Sequence, residues 1–334
     1  MSYFSTWMKN GRSASLVQSG MPAVLALVLA IGPGFNIVLA LIAVIGALAA
    51  HMAMNLLDDY FDYKEDMLAD RLDVVRKGMK AYTAKYPYLT DGSATVADLR
   101  NAIYFFSAQA LICGAVVLAF RGWQVAAIAA VGGILGYFYS GKPLQLGYKG
   151  LGELVIGVIF GPLLMIGVYL AACGRIDNLI IAISIPVGLL VTNILFTHSF
   201  LDKVGDEASD KKTLAGLVGS DKGNLVVSAI LNFLPFIVIA LASATGYINI
   251  MYIAVLVLCV MPLWLFRSLI AFANGKEWNT ANPPKYMGNM GNLEQSKAAG
   301  LDWFLVRWFS ARNILANYCL LIIVVRILVL LFFR

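Results

Sequence analysis

Apolar runs alternate with short polar stretches along this chain from about residue 16 onward. An α-helix needs roughly 17 to 25 apolar residues to cross about 30 Å of hydrocarbon. Nine runs meet that length, at 16–32, 35–57, 101–120, 122–140, 154–172, 178–200, 225–244, 247–270 and 312–333. Pro22 and the Gly32-Pro33-Gly34 turn trim the first of them. The pattern predicts an all-α polytopic membrane protein, nine transmembrane helices in one bundle. Residues 1–334 then form a single transmembrane domain, with 274–311 as an atypical cytoplasmic interfacial loop carrying Trp278, Tyr286, Trp303 and Trp308.

Composition agrees. Hydrophobic residues make up 60% of the chain and charged residues 13%, against roughly 25% charged in a soluble protein. Mean hydropathy is +0.79. Disorder, collagen and a disulfide scaffold are excluded, and little chain is left for a separate soluble domain. Cys113, Cys173, Cys259 and Cys319 all fall in apolar stretches without CxxC spacing and read as core residues. The first 16 residues lack the pattern of a cleaved signal and read as a cytoplasmic arm on the membrane surface.

A net charge of +6 would suit nucleic acid, but the distribution of bases assigns it to topology, and no protein partner is implied. With the arm and the loops after spans two, four, six and eight taken as one face, 21 of the 25 Lys and Arg lie there. That asymmetry predicts a cytoplasmic N-terminus.

The acids are distributed less evenly. Of 19 Asp and Glu, nine fall in residues 58–98 and five in 202–221, both on the basic face. Asp58, Asp62 and Asp66 recur at intervals of four, as do Asp202, Asp206 and Asp210. Residues four apart share a helix face, so each run predicts a self-repelling row of carboxylates. Such oxygen donors suit Mg²⁺, which takes one or two carboxylates together with substrate phosphates. Arg71, Arg76, Lys77, Lys211 and Lys212, interleaved with the rows, are then candidates for phosphate oxygens. Lys142, between spans four and five, faces the same side. His51 and His198 each lie a turn before an acidic row, and Tyr137 and Tyr139 end span four, so these four are candidates for an aromatic acceptor or cation pocket, with packing as the alternative. Glu153 opens span five, where a carboxylate also stabilises a helix N-terminus.

These residues resemble the UbiA superfamily of intramembrane aromatic prenyltransferases. Its NDxxDxxxD and DxxxD signatures look like Asp58-Asp59-Tyr-Phe-Asp62-Tyr-Lys-Glu-Asp66 and Asp202-Lys-Val-Gly-Asp206. Tyr88-Leu-Thr-Asp-Gly92, Gly136-Tyr-Phe-Tyr-Ser140, Tyr148-Lys-Gly-Leu-Gly-Glu153, Phe160-Gly-Pro162 and Lys211-Lys-Thr-Leu214 agree in order, over about residues 10 to 270. The combination looks most like the branch that prenylates 1,4-dihydroxy-2-naphthoate for menaquinone. The resemblance implies Mg²⁺ on Asn55, Asp58, Asp62, Asp66, Asp202, Asp206 and Asp210, with Asp59, Asp62, Asp202 and Asp206 catalytic. It also implies a polyprenyl diphosphate donor held by Arg71, Arg76, Lys142 and Lys211, an aromatic acceptor, and a product that leaves into the bilayer. Asp58 stands where the family usually has Asn, and His198, Ser199 and Leu201 depart from the naphthoate branch. Alternatives are another acceptor, such as 4-hydroxybenzoate, homogentisate or a lipid precursor, or a transporter with an acidic cytoplasmic vestibule. Spans nearly free of charge away from their ends disfavour the transporter.

Overall fold

A computed structural model describes residues 3–64, 86–208 and 212–332. Among these the chain is helical, and no strand forms. A short arm helix, α1 (Tyr3–Asn10), precedes α2 (Val17–Leu29) and α3 (Ile37–Lys64). There follow α4 (Val96–Arg121), α5 (Trp123–Ser140), α6 (Gly152–Cys173), α7 (Asn178–Leu201), α8 (Asp221–Ala244), α9 (Ile250–Ala273) and α10 (Asp302–Phe332). Eight of these are long and apolar enough to cross a membrane, and the arm with α2 makes a ninth if counted as one broken span, bent by 73°. The reason for the break is local. Arg12 adopts left-handed backbone, φ 60° and ψ 49°, which no α-helix continues through.

The final helix departs furthest from the hydropathy pattern. It begins at Asp302, ten residues before the run at 312–333, so Trp303 and Trp308 belong to a continuous helix. Their side chains pack inward: Trp303 stacks on Phe272 at 5.8 Å and 7°, and Trp308 meets His198 at 6.1 Å.

α7 lies at the centre, with 72% of its apolar window buried, whereas α4 has 11% buried and turns Leu111 and Ile112 outward toward lipid. α6 and α7 approach through a seam of small residues, as membrane helices do when backbone contact must replace a hydrophobic drive. A Cβ on Gly161 would stand 2.3 Å from the Gly188 Cα, and one on Gly157 would stand 2.0 Å from Thr192 Oγ1. Pro162 sits in a π-helical turn, Ile159–Leu163, that accommodates its missing N–H. Glu153, Gly157 and Gly161 follow one another at intervals of four, so the seam that joins the helices also directs Glu153 toward α7.

The two ends of the bundle differ in chemistry. At one, Arg121, Arg175 and Arg326 donate to carbonyls of the turn at Ile31, Pro33 and Gly34. Those three arginines belong to the sparse basic face of the sequence count. The acidic segments occupy the other end.

Candidate active site

Because α3 stays helical to Lys64, Asp58 and Asp62 share a face, with Asp59 beside them. The row does not face solvent: Asp59 is 1% exposed and Asp62 is fully buried. Burying charge is costly unless it is paired or hydrogen-bonded. Arg12 supplies much of the compensation. Its Nη1 lies 3.0 Å from Asp59 Oδ1, and its Nη2 donates to the Asn55 carbonyl at 3.0 Å and reaches Asp58 Oδ2 at 3.4 Å. Ser140, the last residue of α5, donates its hydroxyl to Asp58 Oδ1 at 2.5 Å. Tyr88 donates to Asp59 Oδ2 at 2.8 Å, and burial together with the Asp59 charge pushes the phenol well above its ordinary pKa, which keeps it a donor.

Part of the arm therefore packs against the site, while Tyr3 and Phe4 stay exposed. Trp7 is buried, edge-on to Tyr88 at 5.5 Å. Asn55 donates from Nδ2 to the Gly11 carbonyl and to Ser15 Oγ, both at 2.9 Å. Gly11 lets the arm come close, since a Cβ there would stand 2.3 Å from Met52 Cε.

The second acidic segment forms where α7 ends. The Asp206 amide donates to the Asp202 carbonyl at 2.8 Å, so the interval of four survives into the short helix Lys203–Ala208. Gly205 leaves room for the Asp202 carboxylate, because a Cβ would stand 2.6 Å from its Oδ1. Asp202 and Asp206 are 6% and 2% exposed.

The loop between α5 and α6 ties the two segments together. At its start Ser140 holds Asp58. In its middle Lys149 pairs with Lys212 in a parallel β-bridge, next to Gly150 at φ 76°. At its end Glu153, buried, accepts from Ser199 Oγ at 2.6 Å and from the Leu214 amide at 3.2 Å. Beside this loop lies a cavity of about 160 Å³ whose lining includes Tyr139, Glu153, His198, Ser199, Thr213 and Trp308. Tyr139 immediately precedes Ser140, which holds Asp58, so the cavity adjoins the first acidic segment.

Of the pocket candidates, Tyr139 and His198 line this cavity. Tyr137 is 46% exposed and sits edge-on to Phe61 at 5.6 Å. His51 hydrogen-bonds Ser19 at 2.7 Å and lies 4.4 Å from the Phe160 ring, so it packs α2 and α6 together. Lys142 is exposed in the loop after α5. Asp66, Arg71, Arg76, Asp210 and Lys211 lie outside the described residues. Sequence reasoning missed Arg12 and saw Ser140 only as the end of a motif, without its Asp58 partner. Their partners stand 46 and 82 residues away, and nothing in the local spacing announces them.

Among the described residues no three His, Cys, Asp or Glu side chains converge as a metal cage. The donor set still fits Mg²⁺, since that ion prefers hard oxygen ligands and takes few carboxylates when phosphates complete its shell. The arrangement as a whole is a membrane bundle with buried acids at one end, opening beside a small aromatic-walled cavity.

Comparison with known proteins gives this arrangement a family. The chain matches the UbiA prenyltransferase family over residues 19–289, and it belongs to that family. It is 30% identical over 214 residues to the 1,4-dihydroxy-2-naphthoate octaprenyltransferase of Bacillus subtilis, covering 62% of this chain and 64% of the relative. It is 26% identical over 262 residues to the protein of the same name from Mycobacterium tuberculosis, covering 73% and 84%. To the 2-carboxy-1,4-naphthoquinone phytyltransferase of Synechocystis it is 31% identical over 134 residues, covering 39% and 44%, so the chain spans less than two thirds of two of these relatives. Among solved structures it shares the fold of digeranylgeranylglyceryl phosphate synthase, with a TM-score of 0.63 at 16% identity over 98% of this chain and 99% of that one. It also shares the fold of a UbiA homologue from Archaeoglobus fulgidus bound to GPP and Mg²⁺, with a TM-score of 0.57 at 15% identity over 95% and 99%.

Proposed function

We propose that this chain transfers an isoprenyl group from a polyprenyl diphosphate to an aromatic acceptor, 1,4-dihydroxy-2-naphthoate, in menaquinone biosynthesis. The observation that carries the reading is the joining of two acidic segments, about 140 residues apart, by the loop from Ser140 to Glu153 at one end of an apolar bundle. The naphthoate octaprenyltransferases among its relatives support the acceptor. The Archaeoglobus homologue, solved with GPP or DMAPP and Mg²⁺, supports the donor class and the metal.

In this reading Asn55, Asp58, Asp62, Asp66, Asp202, Asp206 and Asp210 hold Mg²⁺, and Arg71, Arg76, Lys142 and Lys211 bind the diphosphate. When bound, Mg²⁺ supplies charge stabilisation to the departing diphosphate. The chain's own residues do the rest. Arg12 and Tyr88 orient Asp59. Tyr139 lines the cavity with a ring, from whose π-cloud an allylic cation gains. Tyr139, Leu195 and Trp308 give the cavity its apolar surface, and an allylic cation formed there has to be shielded from water, which would otherwise capture it. A lipid-exposed bundle gives the product a lateral exit into the bilayer.

The test is direct. Purified protein with Mg²⁺, a series of isoprenyl diphosphates and a panel of hydroxylated aromatic acids should yield a prenylated naphthoate by mass. Release of diphosphate without a prenylated ring, or prenylation of 4-hydroxybenzoate in preference, would contradict the reading.

The site belongs on the cytoplasmic face of a bacterial cytoplasmic membrane, because the acidic segments share the basic face of the bundle. A cysteine in place of Ser93 should react with an impermeant maleimide from the cytoplasmic side, and one in place of Asn178 from the opposite side. Reaction of both from one side would overturn the orientation.

A further inference from the structure

The cavity beside Glu153 has a chemistry that the acidic segments do not explain. Its volume, about 160 Å³, is that of a site for one aromatic ring, since a cavity of about 150 Å³ holds benzene. Two of its walls are aromatic. Tyr139 comes from α5, and Gly147 and Gly152 let its ring lie flat under the loop, because a Cβ on either would stand within 3.2 Å of that ring. Trp308 comes from α10, beyond the family-matched residues 19–289. It is braced by His198, which meets Trp308 at 6.1 Å and Phe304 at 5.0 Å.

Glu153 is the charged group lining the cavity, and it is 3% exposed. Its structural partners are the Ser199 hydroxyl at 2.6 Å and the Leu214 amide, 3.2 and 3.3 Å from its two oxygens. A carboxylate offers about four lone-pair sites, so these partners leave it able to accept from a ligand hydroxyl. An acceptor carboxylate pointed at Glu153 would meet a like charge in a desolvated place, at a cost a ring hydroxyl does not incur.

We propose that this cavity is the acceptor subsite, with the reactive ring between Tyr139 and Trp308 and Glu153 accepting a hydrogen bond from a ring hydroxyl, while any ring carboxylate points away from Glu153. This deepens the function proposed above and rests on it for the identity of the acceptor class. Glu153 is thereby a specificity-determining residue for hydroxylated rings, and Trp308 sets the width of the slot.

The test is equilibrium binding, which needs no turnover. Dissociation constants for 1,4-dihydroxynaphthalene and for 2-naphthoate would be measured on the full-length protein, wild type and Glu153→Gln, with farnesyl diphosphate and Mg²⁺ binding measured alongside. The wild type should prefer the diol by about tenfold or more, the size of one charge-assisted hydrogen bond. Glu153→Gln carries an amide donor in the same volume. It should weaken the diol about tenfold, tighten 2-naphthoate, and leave the farnesyl diphosphate constant unchanged. A merely structural Glu153 would lower all three affinities together, or none, and either result overturns the proposal.

If Glu153→Gln does not fold, Trp308→Leu decides. It should weaken both aromatic probes equally with farnesyl diphosphate binding intact, and undiminished binding of both would refute the subsite. The two readings fail separately. Charge-dependent binding of the diol without any prenylated product would remove the proposed function and keep a hydroxyarene site. Prenylation of naphthoate unaltered by Glu153→Gln would keep the function and remove this subsite.

Discussion

Asp62→Asn, or Asp206→Asn, should abolish isoprenyl transfer and leave a folded bundle. The amide is chosen because both carboxylates are buried, so truncation to alanine would leave a cavity and confound chemistry with stability. Asparagine keeps the volume and removes the charge. Each substitution takes a hard anionic donor from a different acidic segment, and the expected loss of rate is at least about a hundredfold, since even residues that only support metal ligands cost about 10- to 100-fold. Chelation by EDTA should reproduce the loss in the wild type, and added Mg²⁺ should reverse it. Near-normal turnover by either variant at saturating Mg²⁺ would remove that segment from the site. The check is product formation by mass, with detergent-solubilised protein shown to be monodisperse and unchanged in helicity.

Arg12→Ala should be the most damaging single change outside the acidic motifs. The guanidinium touches Asp59 at 3.0 Å, Asp58 at 3.4 Å and the Asn55 carbonyl at 3.0 Å, while Asp59 itself is 1% exposed. Breaking a fully buried ion pair costs about 3–5 kcal/mol. The Arg12 side chain is 37% exposed, so solvent screens part of the interaction and about 2 kcal/mol is the expected loss. Arg12→Lys should recover only part of it, because an ammonium cannot span three acceptors in a fixed fork. Adding Asp59→Asn to Arg12→Ala should raise the Tm above that of Arg12→Ala alone, since the stranded charge is then gone. An unchanged Tm for Arg12→Ala would show that the arm does not stabilise α3.

The sequence made the spans legible because lipid imposes one requirement on each of them, a run of apolar residues about 30 Å long. Where helix stability comes from elsewhere, that signal fails. The first three turns of α10 contain Arg307 and Arg312, which a hydropathy window reads as loop. Arg307 donates to the Ser268 carbonyl at 3.2 Å and lies 5.6 Å from the Phe272 ring, and Arg312 lies 4.4 Å from the Phe309 ring. These partners satisfy the charges locally, so the helix starts at Asp302. α2 ends at Leu29, where the turn holding Gly32 at φ 151° and Gly34 at φ 74° trims its apolar run as the Gly-Pro-Gly sequence predicts.

Within the site, the interval of four correctly grouped Asp58 with Asp62 and Asp202 with Asp206, because helical periodicity is a local property. The packing around Asp58 and Asp59 was not legible, since it depends on Arg12, Tyr88 and Ser140 arriving from three other elements. Glu153 was visible as a membrane-edge carboxylate but read as a helix-end charge, and only the Gly157–Gly161 seam against Gly188 explains why it meets Ser199.

On the proposed function the two acidic segments act as one diphosphate site. Farnesyl diphosphate binding in the presence of Mg²⁺ tests it, measured for the wild type, Asp62→Asn, Asp206→Asn and the double variant. If one diphosphate is held between both segments, each single change should weaken binding about tenfold or more, and the double should be little worse than the weaker single, as groups acting as a unit behave. Independent, multiplicative losses, or full affinity in either single variant, would contradict the account.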